Sequence, residues 1–306
     1  MRAVVVGSVE SSRVAIDGIA RAKEWMLPLV VSLPFELAHR HSDYVDLSGA
    51  ATAAGAGLLP APNANAPEIC EAIEAVAPDY VFVIGWSQIC RARLMKAARL
   101  GVIGYHPSPL PRMRGRAVIP WTILRDEPIT AGTLFWIDAG VDTGPILEQR
   151  FFHVAPGETA ETLYRQHMVA LDAMMTDALA ALASGTPRRE KQDERFATWA
   201  ARRTPESGRI DWSMTATEID RLVRASGRPY PGARTHTRSR QDELIVWQAR
   251  IAVDGDRHLA RSGQVIVRSD SSFIVRCGSG TALEITEWDG GVGGPPALHA
   301  VLGDGL

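Results

Sequence analysis

Short apolar runs rich in branched residues alternate with stretches of helical spacing through the first half of the chain. A run of this kind is typical of a strand buried on both faces, and a helix between two such strands lets them pair in parallel. The alternation therefore predicts an α/β fold, an open parallel or mixed sheet covered by helices. The predicted strands are Ala3–Val6, Leu27–Leu33, Tyr80–Ile84, Gly101–His106 and Thr133–Ile137, and the predicted helices are Ser12–Glu24, Ala66–Val76 and Arg91–Ala98.

A different pattern begins after a long helical stretch, Ala160–Ala183, whose apolar residues fall mostly on one stripe. Glycine and proline end that helix, and a charge run without apolar period follows, which is typical of a solvated linker. Beyond a predicted helix Ala216–Ala225, the runs Glu243–Ala249, Gly263–Arg268, Ser272–Arg276 and Thr281–Trp288 are separated by turn residues and predict a small β-barrel or sandwich. The predicted division is a first domain at 1–185, a linker at 186–205 and a second domain at 206–306.

Composition excludes several classes of protein. The 306 residues are 46% hydrophobic and 22% charged, as in ordinary globular chains, and no run of 18 apolar residues marks a membrane span. A net charge of −2 gives no global attraction to nucleic acid or an anionic membrane, although basic residues outnumber acidic ones 13 to 7 between residues 188 and 240. Three widely spaced cysteines argue against a disulfide framework or a zinc site. We expect a cytoplasmic protein with no metal and no membrane partner.

The segment 104–116, GYHPSPLPRMRGR, places a histidine at the end of a predicted strand. Three prolines follow His106 closely and exclude both strand and helix, so the exit from the strand is rigid. Ligands of open α/β sheets bind beyond the carboxyl ends of the strands, which makes His106 a catalytic candidate. The alternative is a histidine whose ring is satisfied by a neighbouring backbone group.

A second loop, DAGVDTGPI at 138–146, follows the predicted strand Thr133–Ile137. We expect it at the same edge of the sheet as His106, so that Asp142 and His106 meet if the two strands are neighbours. A carboxylate beside an imidazole fixes the tautomer and stabilises the charged form, as a proton-shuttling or oxyanion-stabilising histidine requires. Taken alone, Asp142 is equally compatible with an ordinary turn aspartate.

The stretches HPSPLPRMRGRA and DAGVDTGPIL resemble a family of formyltransferases. The family includes glycinamide ribonucleotide, methionyl-tRNA and sugar N-formyltransferases and the hydrolase domain of 10-formyltetrahydrofolate dehydrogenase, and the likeness covers about Val4 to Ser184. Downstream, SGRIDW and RPYPGA are similar to the smaller domain of methionyl-tRNA formyltransferase and of the formyltransferase half of the aminoarabinose-modifying enzyme. The resemblance implies a Rossmann-like mixed sheet followed by an OB-like β-barrel.

The same resemblance implies transfer of a formyl group from the co-substrate 10-formyltetrahydrofolate to the amine of a small acceptor, an amino sugar nucleotide or an amino-acid-derived metabolite. His106 and Asp142 match the family's histidine and aspartate. In that role His106 faces the formyl oxygen, while Asp142 orients the imidazole and takes part in the proton relay. The residues implied to bind the folate are Trp86, Ser87, Gln88, Ile89, Asp138, Ala139, Gly140 and Val141.

The resemblance also implies that three residues beside the histidine bind the acceptor: Ser108, Arg114 and Arg116. Arg116 suits an anionic group such as phosphate or carboxylate, whereas Ser108 bonds the acceptor or caps the proline turn. One departure from the family is Gly104, where most of the transferases carry Asn. Losing an oxyanion donor costs roughly 10²- to 10³-fold in rate unless it is replaced, and glycine would let a backbone group or a water supply the donor.

Three alternatives stay open at this point. Formylation of methionyl-tRNA is favoured by the two-domain layout and weakened by the near-neutral charge and the missing Asn. Hydrolysis of 10-formyltetrahydrofolate is favoured by Gly104, because the hydrolase domain also lacks that Asn. A degenerate, non-enzymatic member is disfavoured by the presence of both His106 and Asp142. The sequence leaves the oligomeric state undecided, with a homodimer as one option.

Overall fold

The structure is a computed structural model that describes residues 1–237, 243–253, 255–291 and 294–303. It divides into two compact units. The first comprises Met1–Val118, Pro128–Val154 and Tyr164–Ala201, and the second comprises Ile119–Glu127, Ala155–Leu163 and Arg202–Leu306. This division differs from the predicted one mainly at residues 186–201, which belong to the first unit. Two short stretches, 119–127 and 155–163, also group with the second unit.

The first unit contains a seven-stranded mixed sheet. Its strands are β1 (Arg2–Val6), β2 (Met26–Ser32), β3 (Gly57–Pro60), β4 (Tyr80–Val83), β5 (Gly101–His106), β7 (Ile129–Trp136) and β8 (Ile146–His153), in the spatial order β3-β2-β1-β4-β5-β7-β8. Strands β1 to β5 run parallel, whereas β7 and β8 are antiparallel to their neighbours. A separate parallel pair joins β6 (Arg114–Gly115) to β9 (Trp199–Ala200). The predicted mixed α/β sheet is confirmed.

The central strands are buried on both faces, as their continuous apolar runs predicted. Ala3 to Val6 of β1 are 0% exposed, so neither side of the strand meets solvent. Covering this sheet requires helices with an apolar stripe. The helices up to residue 183 are α1 (Glu10–Arg21), α2 (Ser48–Ala53), α3 (Pro67–Ala75), α4 (Ala92–Lys96), α5 (Val118–Leu124) and α6 (Ala160–Ala183). The bounds of α6 are those predicted.

The second unit is built on an antiparallel sheet and one amphipathic helix, α7 (Ala216–Ser226). Among the described residues its strands are β10 (Ala233–His236), β11 (Glu243–Ile251), β12 (Val265–Arg268), β13 (Phe273–Arg276) and β14 (Ala282–Gly290), in the order β10-β11-β14-β13-β12. Thr215 and Glu218 cap α7 reciprocally, each side chain accepting the other's backbone N–H. Ile219 and Val223 of α7 join Phe273 in the core of this unit. The smaller β domain is therefore present.

All three cysteines are buried and carry no disulfide. Within the part of the chain that the structure describes, no helix combines the length and the apolar character needed to cross a membrane.

Candidate active site

His106 is the last residue of β5, and its ring is held from one side by backbone. The side chain is almost fully buried, and Nε2 lies 2.7 Å from the carbonyl oxygen of Met113. A carbonyl oxygen can only accept, so this contact places a proton on Nε2. The backbone contact expected of a structural histidine is thus present, and it leaves Nδ1 as the other functional atom of the ring.

The loop that carries Asp142 reaches His106 by a route that differs from the expected one. Strands β5 and β7 are neighbours, but they are antiparallel, with His106 paired to Thr133 and Ile103 paired to Trp136. The loop after β7 therefore starts beside the amino half of β5 and turns back towards His106. The expectation that both loops leave the same edge of the sheet was wrong, because it assumed parallel neighbours.

Asp142 nevertheless ends beside the histidine. Its Oδ2 atom lies 3.7 Å from Nδ1 of His106, and the same oxygen accepts the backbone N–H of Gly115 at 2.8 Å. Asp142 has φ +55°, a left-handed conformation that a non-glycine residue adopts at some cost. The side chain of Asp142 is 19% exposed, so the carboxylate is reachable from solvent. The two candidate catalytic groups therefore meet in one partly open position.

The residues Met113–Gly115 contact both candidate groups. Met113 supplies the carbonyl for His106, and Gly115 supplies the N–H for Asp142. This short segment is held in turn by β9, through the β6–β9 pairing and a hydrogen bond from Met113 N–H to the hydroxyl of Thr198. Gly115 has φ +106°, and a Cβ there would lie 2.5 Å from the carbonyl oxygen of Ala200. Only glycine fits this position without a shift of backbone.

This geometry leaves a defined set of groups for chemistry. With its Nε2 proton committed to Met113, His106 presents Nδ1 towards Asp142 and towards any ligand placed between them. An imidazole nitrogen and a carboxylate oxygen 3.7 Å apart can accept a proton from a nucleophile or donate one to a leaving group. The arrangement suits a reaction in which a proton is taken from one nitrogen or oxygen and returned to another.

Position 104 has an apolar surrounding. A side chain at position 104 would point at the ring of Phe135 and a methyl group of Ile137. A Cβ built on Gly104 would lie 2.9 Å from the Cε1 and Cζ atoms of Phe135. The Phe135 ring thus occupies the direction that a side chain at this position would take, and a substitute donor from backbone or water stays a prediction. In this structure the site has no polar side chain in the place of the family's Asn.

Two of the predicted acceptor-binding residues make contacts inside the protein. Ser108 is fully buried, and its hydroxyl donates to the carbonyl of Arg112 at 2.8 Å, which fits the turn-capping alternative. Arg114 is 1% exposed, and its guanidinium contacts Gln192 and Glu194. These contacts hold the guanidinium of Arg114 inside the protein, and its binding to substrate stays a prediction.

Arg116, the third predicted residue, lies on the surface. One of its guanidinium nitrogens donates to the carbonyl of Ser87 at 2.8 Å. The Ser87 hydroxyl lies 3.3 Å from Nε2 of His41, and partial burial lowers the pKa of that imidazole. Arg116 therefore joins the loop after β4 to the histidine loop and keeps an exposed charge.

The predicted folate-binding residues lie on two loops with different supports. Gln88 ties the loop after β4 to Pro62, to whose carbonyl it donates at 2.8 Å. In the loop after β7, Asp138 accepts the N–H of Gly140 and the hydroxyl of Thr143, which fixes an Asx turn. Each loop exposes an apolar side chain: Ile89 is 68% and Val141 is 50% exposed. Binding of folate by these residues stays a prediction.

Sequence reasoning missed the contribution of residues 190–200. Gln192 is 4% exposed, and it donates to the carbonyls of Asp142 and Gly144 at 2.9 and 2.7 Å. This segment looked like a solvated linker because it carries alternating charges and no apolar period. A lone glutamine between charged residues carries no signal of burial, since its partners come from distant parts of the chain.

Comparison with known proteins gives the family. A formyl transferase family profile matches residues 30–179, and the profile of the formyl transferase C-terminal domain matches residues 202–291. Methionyl-tRNA formyltransferase of Nitrosospira multiformis is 32% identical over 95% of this chain and 92% of its own length. The corresponding protein of Acidobacterium capsulatum is 36% identical over 77% of this chain and 75% of its own length.

A solved structure shares the fold at low identity. The N-formyltransferase of Helicobacter canadensis, solved with folinic acid and dTDP-3-aminofucose, superposes with a TM-score of 0.67 at 16% identity, covering 93% of this chain and 98% of that one. At that identity the similarity shows the fold. The two family profiles and the relatives above 30% identity define a group-transfer enzyme, on a fold of the α/β class. The chain belongs to the formyltransferase family.

Proposed function

We propose that this enzyme transfers the formyl group of 10-formyltetrahydrofolate to a primary amine, with the α-amine of methionyl-tRNA as the acceptor. The observation that carries the reaction is the meeting of His106 Nδ1 and Asp142 Oδ2 at 3.7 Å beyond the end of β5. The acceptor rests on the relatives, which match both units and are named methionyl-tRNA formyltransferases.

The chemistry needs two proton movements, and the two side chains can supply both. The amine nitrogen attacks the formyl carbon, the new C–N bond forms, and the bond from that carbon to N10 of the folate breaks. Asp142 and His106 take the proton that the amine loses and return one to N10, so that no other reactant is required. A protonated Nδ1 also stabilises the negative charge that develops on the formyl oxygen.

The surroundings of the two loops fit a reduced folate. A pterin needs backbone hydrogen-bonding groups and apolar contact, and the proposed loops combine fixed backbone with exposed Ile89 and Val141. The folate would supply the activated one-carbon unit. What this chain supplies is a fixed position for that unit beside His106.

A small amine is the second candidate acceptor, and charge favours it. Residues 202–306 hold 14 Lys or Arg and 13 Asp or Glu, a difference of only +1. Some of the arginines are paired within the second unit, for example Arg228 with Glu287 and Arg234 with Glu243. Arg238 and Arg240 lie outside the described residues. Binding of tRNA phosphates depends on unpaired cations, so this balance weakens tRNA as the acceptor.

Product analysis separates these candidates. The protein is incubated with 10-formyltetrahydrofolate alone, with charged initiator tRNA, and with a panel of amino sugar nucleotides and amino acids. Formyl-methionyl-tRNA with release of tetrahydrofolate is the expected result. Formylation of a small amine alone would replace the tRNA acceptor, and release of formate without any amine would replace transfer by hydrolysis. The apolar surrounding of Gly104 is the observation that keeps hydrolysis in the test.

The proposal also includes a cytoplasmic location and an OB-like closure of the second-unit sheet. Three buried free cysteines support a reducing compartment. Cell fractionation and an experimental structure of the second unit test these two points independently of activity. Size-exclusion chromatography with light scattering tests whether the protein forms a homodimer.

A further inference from the structure

Gln192 connects the buried guanidinium of Arg114 to the loop that carries Asp142. Its Oε1 accepts from Nε and Nη2 of Arg114 at 3.1 and 2.8 Å. Its Nε2 donates to the carbonyl oxygens of Asp142 and Gly144 at 2.9 and 2.7 Å. Every hydrogen-bonding position of the amide is used, and the partners fix its orientation, because a guanidinium only donates and a carbonyl only accepts.

The contacts close a ring around Asp142. The carboxylate accepts the N–H of Gly115, while the carbonyl of Asp142 accepts from Gln192, which Arg114 holds. Arg114 and Gly115 are adjacent in the chain and form β6. The carboxylate and the backbone carbonyl of Asp142 are therefore both linked to this short strand. Because Asp142 has φ +55°, its conformation needs support from outside the loop.

The same network explains why an arginine is buried here. Arg114 is 1% exposed, and its second partner is Glu194. The Glu194 carboxylate accepts hydrogen bonds from Nη1 and Nη2 of Arg114 at 2.9 and 2.7 Å. The guanidinium holds the pKa of the Glu194 carboxyl below its usual value. Burying a charge is costly unless its hydrogen bonds are satisfied, and Gln192 and Glu194 satisfy this one.

We infer that Gln192 is a positioning residue for the formyl transfer, acting through Asp142, and that Arg114 sets the orientation of its amide. This inference rests on the proposed function, since it assigns the role of a residue in that reaction. A movement of Asp142 by about 1 Å relative to His106 is enough to lower a rate by about 100-fold. Gln192 is thereby the residue of this segment that supports the Asp142 loop.

The alternative is that Gln192 only anchors the segment 190–200 to the first unit. The β6–β9 pairing and the Thr198 hydroxyl already provide that anchor. An anchoring role would lower stability and protein yield without changing the pH profile of turnover. A positioning role changes turnover and its pH dependence, while the Michaelis constant for the folate stays nearly constant.

The experiment compares Gln192→Ala and the similarly sized Gln192→Glu with Asp193→Ala, a half-buried neighbour whose carboxylate contacts Arg195. We expect both Gln192 variants to lower kcat by about 10- to 100-fold and to displace the pH profile, with the folate KM within about threefold. Asp193→Ala keeps the wild-type values. In a double-mutant cycle, Gln192→Ala and Arg114→Lys are expected to be non-additive, because they break one network.

Hydrogen exchange provides a readout that needs no activity. We expect the peptide covering residues 138–146 to lose protection in Gln192→Glu, while peptides of β1 and β4 keep theirs. A Gln192→Glu protein with wild-type kcat, wild-type pH profile and unchanged exchange at 138–146 would overturn the inference. If the wild-type enzyme formylates no amine, the proposed function fails. Hydrogen exchange remains a separate test, because unchanged exchange at 138–146 in Gln192→Glu would show that Gln192 does not hold the Asp142 loop.

Discussion

Oδ2 of Asp142 stands 3.7 Å from Nδ1 of His106 while accepting the amide proton of Gly115 at 2.8 Å. One oxygen thus faces both the imidazole and a fixed backbone donor. The geometry keeps the carboxylate beside the ring without a direct hydrogen bond between them. A substrate group entering there meets both groups at once.

Replacing His106 by Ala is expected to lower turnover by about 10²- to 10⁴-fold, because the variant lacks both the proton carrier and the group that faces the formyl oxygen. Folate affinity, measured by calorimetry, is expected to stay nearly unchanged, since the residues proposed to bind the folate lie on other loops. His153→Ala, an exposed histidine at the end of β8, is the matched control. Full activity of His106→Ala would refute the assigned role.

Asp142→Asn tests charge separately from shape. The amide oxygen can still accept the N–H of Gly115, so the loop is expected to keep its conformation and the protein its melting temperature. Turnover is expected to fall by about 10²-fold or more, because a neutral amide cannot take a proton from the amine. Asp177→Asn, on an exposed face of α6, removes the same charge elsewhere. Equal rates in the two variants would contradict the proton relay.

Restoring the family's Asn at position 104 is expected to fail in this chain. A Cβ at Gly104 would lie 2.9 Å from the Phe135 ring, so Gly104→Asn is expected to cost about 1–3 kcal/mol of unfolding free energy. Activity does not rise in the single variant. The double variant Gly104→Asn with Phe135→Ala makes room for the amide, and it is expected to formylate faster than Phe135→Ala alone. A stable, more active single variant would show that Phe135 yields readily.

Buried His167, which contacts the hydroxyl of half-buried Tyr105, is expected to make stability fall in acid. Burial lowers the pKa of His167 to about 3, against 6.5 for an unperturbed histidine. Between these values the unfolded chain binds the proton and the folded chain does not. The contribution of His167 to the free energy of unfolding is therefore complete above pH 6.5 and is lost as the pH falls towards 3. The slope is at most about 1.4 kcal/mol per pH unit.

Urea unfolding of the wild type and His167→Gln between pH 4 and pH 7 measures this dependence. We expect the variant to be less stable at pH 7, since it disturbs the 3.1 Å contact with the Tyr105 hydroxyl, but to have a flatter acid limb. His153→Gln is expected to follow the wild type. Identical slopes for wild type and His167→Gln would show that His167 does not titrate with unfolding.

The sequence predicted the elements whose apolar pattern is set by burial alone. Strand β5 and helix α6 have the predicted bounds, because the end of each is marked by a proline or glycine signal. Strand β8 was missed, since its polar residues Glu148, Gln149 and Arg150 interrupt the apolar pattern that the prediction relied on. Helix α5 was missed because it contains Pro120.

The site was predictable to the extent that its residues carry a local signal. The proline-rich exit identified His106, and the carboxylate and glycine loop identified Asp142. The antiparallel direction of β7 carried no such signal, because the connection of 22 residues from 107 to 128 is long enough for either direction. The contacts of Gln192 and of Phe135 depend on tertiary packing, which a single sequence does not display.

The most direct test is a crystal structure of the protein with a stable formyl-tetrahydrofolate. We expect the pterin between the loops after β4 and β7, with the formyl group within about 3 Å of His106 Nδ1 and facing Asp142. Folate bound elsewhere, with its formyl group out of reach of both side chains, would contradict the account.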